Sequence, residues 1–258
     1  LEPSFLNDFD FFLRTKANIN NNSAVKHTKN LSKILKICYH NNWIEKDLVI
    51  FYKGRFNEVN VNFLTDEELS SIREKEFSGK GLELVRDMFV FSCYTGLAYI
   101  DIFNLTKDQL SKGIDGNLWI ITNRQKTGSA SNIPLLPVAE EIIKKYENHP
   151  VSSNSGKLLP VYTNQKVNEY LKTIAENCGI NKKLTFHCAR HTFATTVTLG
   201  NNVSMESVSK MLGHKSIKTT QHYAKILDSK VSQDMASLKL VLEKKNEVQK
   251  ENDKKIGS

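Results

Sequence analysis

Residues 187–193 read His187-Cys188-Ala189-Arg190-His191-Thr192-Phe193, Leu212-Gly213-His214 follows, and Tyr223 stands nine residues beyond His214. His187 and Arg190, three apart, share one face of a helix. With a second histidine and a tyrosine they make up the set needed to attack a phosphodiester without a metal. Arginine and histidines can hold the phosphate oxygens, and a phenol can be the nucleophile. The nine-residue gap from His214 to Tyr223 leaves room for a turn and the start of another helix.

Working outward, the chain has 258 residues, 40% of them hydrophobic, enough for one large domain or two smaller ones. Its formal net charge of +8 favours a polyanionic partner. Cys38, Cys93, Cys178 and Cys188 lack CxxC spacing and sit in apolar helical contexts, so they read as small buried thiols in a reducing compartment, with no metal site. The longest apolar runs, around Leu48–Tyr52 and Met88–Tyr94, are too short to cross a bilayer, and no signal-peptide pattern opens the chain. The start at Leu1 rather than Met is read as that of a fragment, and the expected location is the cytoplasm, on the nucleoid.

The first sixty residues read as helical and separate. Phe5–Lys16 forms one helix, broken by the asparagine-rich run 18–22, and Ser23 is the expected N-cap of a second helix reaching about His40. On that helix Leu31, Ile34, Leu35 and Cys38 share a face, and Lys26, Lys29, Lys33 and Lys36 share the opposite one. Such a stripe is either a solvated face or a surface for the DNA backbone. The second reading is preferred because no acidic residue interrupts the stripe in a basic chain.

Residues 54–62 have no period. The domain reading is a partial helical domain over 1–57, a linker over 58–64, a second domain over 65–247 and a charged, disordered tail over 248–258. Thr65-Asp66-Glu67-Glu68 is a capping box opening the second domain. Leu82–Tyr94 is a core helix ending at Gly96, and Leu118–Asn123 with Asn132–Leu135 flank Lys126-Thr127-Gly128-Ser129 as a β-hairpin. Further helices are expected at Val138–Tyr146, Val167–Asn177 (stopped by Gly179), Ala189–Leu199, Ser204–Leu212 and Val231–Glu247. The fold class is mainly α with a small antiparallel β-sheet.

The order His-x-x-Arg, Leu-Gly-His, Tyr resembles the signature of the tyrosine recombinase (phage integrase) family, over about residues 62–235. The resemblance implies an integrase-type catalytic domain preceded by a partial all-α core-DNA-binding domain. Residue by residue, it implies Tyr223 as nucleophile, Arg190 as the second catalytic arginine, and His187 and His214 as the two histidines. Lys126 resembles the β-turn lysine that is general acid for the leaving 5′-hydroxyl, against the bland reading of a solvated turn lysine. Asp101, three after Ala98, falls where the family has a supporting acidic residue. His191 and His222, next to motif residues, read as packing groups or as groups supporting the motif side chains, and His27, His40 and His149 as structural or surface residues.

One position departs. Thr95-Gly96-Leu97 is followed by Ala98, where the family carries its first catalytic arginine. Either another cation enters the site, with Arg124 preferred over Arg86 and Arg73 because it shares a strand face with Lys126, or the protein binds DNA without cutting it. The resemblance implies site-specific recombination through a 3′-phosphotyrosyl intermediate, serving integration, excision or inversion of a mobile element. The alternatives are a DNA-binding regulator and a strand-relaxing topoisomerase. The implied partners are double-stranded DNA held in a two-domain clamp, a homo-tetramer at synapsis from a monomer when free, and accessory DNA-bending factors. Neither cofactor nor metal is expected, since the chain has no P-loop and no carboxylate cluster suited to Mg²⁺.

Overall fold

The computed structural model describes residues 1–58 and 61–224, with positions 232, 235, 236, 238 and 239 beyond them. Of the expected helix Val231–Glu247 only those five positions are described, each as helical, and the tail 248–258 lies outside the described residues. The chain divides into two compact units, Leu1–Asn60 and Val61–Ser258.

In the first unit α1 (Phe5–Thr15) buries Leu6 and Leu13, and α2 (Asn21–His40) buries Ala24, Val25, Thr28, Ser32 and Leu35. Leu48, in a short 3₁₀ turn over Leu48–Phe51, closes a small core with Leu6 and Leu35. The asparagines do more than break α1. Asn18 takes a left-handed φ of 50°, and the Asn20 carboxamide caps α2 by accepting from the Ser23 amide at 3.0 Å. Asn20, not Ser23, is therefore the cap. Both have the chemistry, but Asn20 stands first after the turn and has the extended backbone a cap requires. Asn21 and Asn22 then pin the returning chain through the backbone of Arg55 and Asn57. Ile34 departs from the expected buried face and is 58% exposed. Lys26, Lys29, Lys33 and Lys36 are all exposed.

The second unit opens on the expected capping box: α3 (Asp66–Glu74) has Thr65 and Glu68 bonded reciprocally at 3.3 and 2.9 Å. Its core is α4 (Lys80–Thr95), apolar nearly all round, with Val85, Met88, Phe89, Val90, Phe91 and Cys93 at 0–1% exposure. The helix stops at Gly96 in the left-handed region, φ 70°. A Cβ there would lie 2.5 Å from Phe193 Cδ1 and 2.8 Å from Leu212 Cδ2. Both the φ and the space thus demand glycine, and Gly96→Ala is expected to destabilise the protein by roughly 2–4 kcal/mol, read as a lowered urea midpoint.

After α5 (Tyr99–Asn104) the sheet is antiparallel in the order β1 (Leu110–Lys112), β2 (Leu118–Asn123), β3 (Ala130–Pro134). The hairpin is present, with Ile120 opposite Ile133 and both buried. The third strand, β1, escaped the sequence reading because three residues are too few to show alternation. Then come α6 (Pro137–Tyr146), α7 (Pro150–Ser155), whose cap is the His149 ring, and α8 (Asn164–Asn177). α8 begins three residues before the expected Val167 because Thr163 caps it.

The expected helix Ala189–Leu199 is divided. α9 (Phe186–Thr192) continues as a π-helix over Phe193–Thr198 and a 3₁₀ turn over Leu199–Asn201. The Thr196 hydroxyl donates to the Leu64 carbonyl, and the Leu64 amide donates to the Thr192 hydroxyl at 3.0 Å. Leu64, in the stretch read as linker, is fully buried. α10 (Met205–Met211) is capped by Ser204 and α11 (Lys218–Ala224) carries Tyr223. Cys93 and Cys188 are buried as expected, whereas Cys38 and Cys178 are only half-buried at the ends of their helices.

Candidate active site

α9 carries three of the relevant side chains within two turns. Arg190 is 3% exposed, and its guanidinium donates from Nη1 to the Gly96 carbonyl at 2.6 Å and from Nη2 to the Leu212 carbonyl at 2.5 Å. The motifs Thr95-Gly96 and Leu212-Gly213, far apart in sequence, are thus drawn together by one arginine. Burial, with Arg124 nearby, lowers the Arg190 pKa to about 10, so it stays cationic at neutral pH.

Arg124 arrives from the other side. Its Nη1 also points at the Leu212 carbonyl, 3.4 Å away, and its Cδ would touch any Cβ placed on Gly213 at 2.8 Å. Its Nε lies 3.6 Å from Asp101 Oδ2. Arg124 and Lys126 do not share a strand face, however. β2 ends at Asn123, and both residues lie in the turn closed by the Arg124 amide on the Ser129 carbonyl and the Gly128 amide on the Arg124 carbonyl. The turn folds Arg124 inward, with its side chain 11% exposed, and leaves Lys126 in solvent. α5 holds this turn twice: Asp101 Oδ1 accepts from the Gln125 amide at 3.0 Å, and Asn104 donates to the Gln125 side chain.

Ala98 begins α5 and lines a cleft of about 480 Å³ with Tyr99, Ile100, Asn164, Asn168, Thr185, Phe186 and His187. Position 98 carries no cation, and among the described residues no lysine or arginine lines that cleft.

Tyr223 is 6% exposed. Its hydroxyl lies 3.1 Å from His191 Nδ1, and its ring is stacked 6.4 Å from that of His214 at an interplanar angle of 11°. His214 Nδ1 is in turn 2.8 Å from the hydroxyl of Thr220, a fully buried residue of α11. The edge of His187 meets the His191 ring at 4.3 Å. Of the two roles expected for His191, packing or support of a motif residue, the geometry favours the second: it lies within hydrogen-bond distance of the tyrosine hydroxyl. The step of about 100° from Arg190 puts His191 on the side of α9 that faces α11. No spacing rule reaches this pair, because the partner lies on another helix. His222 is exposed, and the lysines of α2 belong to the first unit.

Electrostatically the site suits an anion. Burial and then the surrounding cations lower the pKa of His187, and of His191 and His214 to about 4, so the imidazoles are neutral at neutral pH beside Arg190, Arg124 and Lys126. Burial raises the Tyr223 phenol, while Arg190 and Arg124 pull it back. Unfolding returns the two histidines to about 6.5, so between pH 4 and 6.5 the unfolded chain binds more protons. Their contribution to stability is complete above about pH 6.5 and is lost as the pH falls toward about 4. Thermal melts should show a shallower loss across that window for His191→Asn/His214→Asn than for the native chain. Among the described residues no group of three or more His, Cys, Asp or Glu is placed to hold a metal, and no helix is long and apolar enough to cross a membrane.

The fold, a mostly helical domain with a small antiparallel sheet after an N-terminal helical domain, is that of the tyrosine recombinases. The phage integrase family profile matches residues 62–230 and the phage integrase SAM-like domain matches 1–54; the chain belongs to the phage integrase family. A tyrosine recombinase XerC of Rickettsia canadensis is 29% identical over 170 residues, 62% of this chain and 50% of the relative. A tyrosine recombinase XerD of Lacticaseibacillus casei is 30% identical over 172 residues, 62% and 57% of the two chains. The chain spans about half the length of the curated relatives it matches. Among solved structures, a lambda integrase dimer bound to a COC′ core site superposes with a TM-score of 0.66 at 17% identity, over 86% of this chain and 79% of that one. The Tn1549 transposon integrase in complex with circular intermediate DNA does so at 0.67 and 16%, over 86% and 80%.

Proposed function

We propose that this chain is a site-specific DNA recombinase that cleaves and rejoins strands through a 3′-phosphotyrosyl intermediate. The observation that carries the reading is the meeting of Tyr223 with Arg190, Arg124, His187 and His214 in one cationic site. In this mechanism the Tyr223 phenol gives its proton to water as its oxygen attacks the scissile phosphorus, and the 5′-oxygen leaves with a proton from Lys126. A 5′-hydroxyl later reverses the attack, returning its proton to Lys126 while the freed phenolate is reprotonated from water. Arg190 has donors to spare for a non-bridging oxygen, since a guanidinium has five and two go to carbonyls. Arg124 takes the place left by Ala98, and Asp101 steadies it and the turn bearing Lys126. His187 and His214 donate to phosphate oxygens as neutral imidazoles. The buried Thr220 hydroxyl finds its acceptor in His214 Nδ1, leaving the proton on Nε2.

The substrate is double-stranded DNA from a mobile element, integrated, excised or inverted by a tetramer at synapsis, in the cytoplasm on the nucleoid. In this reading residues 1–57 are the DNA-binding module and those beyond the linker the catalytic domain, which the division into two compact units supports. Relatives named as recombinases support this class of activity.

The test begins with a duplex selected from a random-sequence pool by the Tyr223→Phe protein and then nicked to trap the intermediate. A denaturant-resistant protein–DNA adduct is expected. DNA binding with no adduct would favour the regulator reading, to which Ala98 lends its only support. Strand exchange between two duplexes, rather than relaxation alone, separates a recombinase from a topoisomerase. A further expectation concerns α2. With Lys29 and Lys33 on phosphates, Lys29→Gln/Lys33→Gln flattens the slope of log K against log salt by about 0.9 per lost contact. An unchanged slope means a solvated face.

A further inference from the structure

We infer that His191 is the positioning residue for the nucleophile: its Nδ1 accepts the hydrogen bond of the Tyr223 hydroxyl and aims that oxygen at the phosphate. The inference rests on reading Tyr223 as the nucleophile and adds a residue to the site. Three observations carry it. The Nδ1 to hydroxyl distance is 3.1 Å, and among the described residues His191 is the one hydrogen-bond partner given to that hydroxyl. The His191 ring packs edge-to-face with His187 at 4.3 Å, and His214 stacks on the tyrosine at 6.4 Å, so each partner has a ring packed against it. Finally, His191 follows Arg190 directly, which ties the aim of the hydroxyl to the helix that holds the phosphate.

The direction of the bond follows from burial. Tyr223 is 6% exposed. Among the described residues, a phenol accepting from Nδ1–H would find no acceptor for its own proton, which costs more than a paired group does. The hydroxyl therefore donates, and the imidazole carries its proton on Nε2. Burial, then His187 and Arg190, keep the ring neutral, so the Nδ1 lone pair is available at neutral pH. The group facing it from α11 is Tyr223, and beyond that the neutral His214, from the turn before α11, is stacked on the tyrosine ring. No carboxylate is among the groups that shift His191.

The deciding experiment measures single-turnover cleavage of the nicked selected duplex, at saturating DNA, by the native chain, His191→Leu and His191→Asn. Leucine fills the volume without an acceptor, whereas the asparagine oxygen can stand near Nδ1. His191→Leu is expected to cleave about 10²-fold more slowly at unchanged DNA affinity, the usual result of misplacing a reacting group, and His191→Asn to recover most of the rate. Native-rate cleavage by His191→Leu overturns the inference, as do equal losses in both variants, which would point to ring volume. Nitrogen NMR of the full-length native chain settles the case if His191→Leu does not fold. An unprotonated Nδ1 that shifts in Tyr223→Phe supports the bond, and a protonated Nδ1 overturns it. Absence of an adduct with the native chain removes the nucleophile reading itself, and the role of His191 with it. Native cleavage beside unimpaired His191→Leu removes only the latter.

Discussion

Tyr223→Phe protein is expected to bind the selected duplex normally and to form no covalent adduct with it. The ring stays where it is, because its neighbours are rings: His191 at 5.5 Å and the stacked His214 at 6.4 Å. What is lost is one oxygen. Removing it leaves His191 Nδ1 without its partner, a cost to stability of about 1 kcal/mol. For the chemistry the loss is far larger. Without the oxygen no phosphotyrosyl bond can form, and loss of a covalent nucleophile costs on the order of 10⁶ in rate in an enzyme where it has been measured. The readout is a labelled strand that no longer migrates with the protein in denaturing gels. An adduct of equal yield from Tyr223→Phe would mean that another side chain attacks.

Arg124→Ala is expected to slow cleavage by about 10²–10³-fold, the usual consequence of deleting one donor from a preorganised anion site. The argument is geometric. Arg124 and Arg190 converge on the Leu212 carbonyl, so an oxygen placed beside Arg190 lies within reach of both. Arg124→Lys should restore only part of the rate, since an ammonium lacks the planar fork. Ala98→Arg in the Arg124→Ala background should recover activity, because position 98 opens on the cleft lined by His187. Single-turnover rates with parallel melting curves decide the matter. An Arg124→Ala chain that cleaves at the native rate would show that Arg124 serves the fold, and that Ala98 stands unreplaced.

Much of this was legible in the sequence where the controlling interactions are local. The Thr65–Glu68 capping box, the stop at Gly96, and His187 and Arg190 on one helix face each depend on residues within one turn of each other. Errors arose where several local solutions were equally good, as with Asn20 and Ser23, or where the element was too short for a period, as with β1. The π-helix over Phe193–Thr198 was not legible, because Thr196 reaches Leu64 only in the folded chain. Arg124 was picked out for a strand face it does not have. The tight turn after Asn123 turns it inward instead.

By itself the sequence determined the helical class with its hairpin, the family, and a set of residue types whose chemistry suits a phosphodiester, since periodicity, capping and motif order are properties of neighbours along the chain. Only the tertiary structure decided which atoms meet. Arg124 reaches the carbonyl of a residue 88 positions away, and the Tyr223 hydroxyl meets a histidine 32 positions away, a pairing that spacing does not reveal. The packing of α9, α11 and the β2–β3 turn around buried Arg190 sets those contacts, and no periodicity within one element encodes how it faces another.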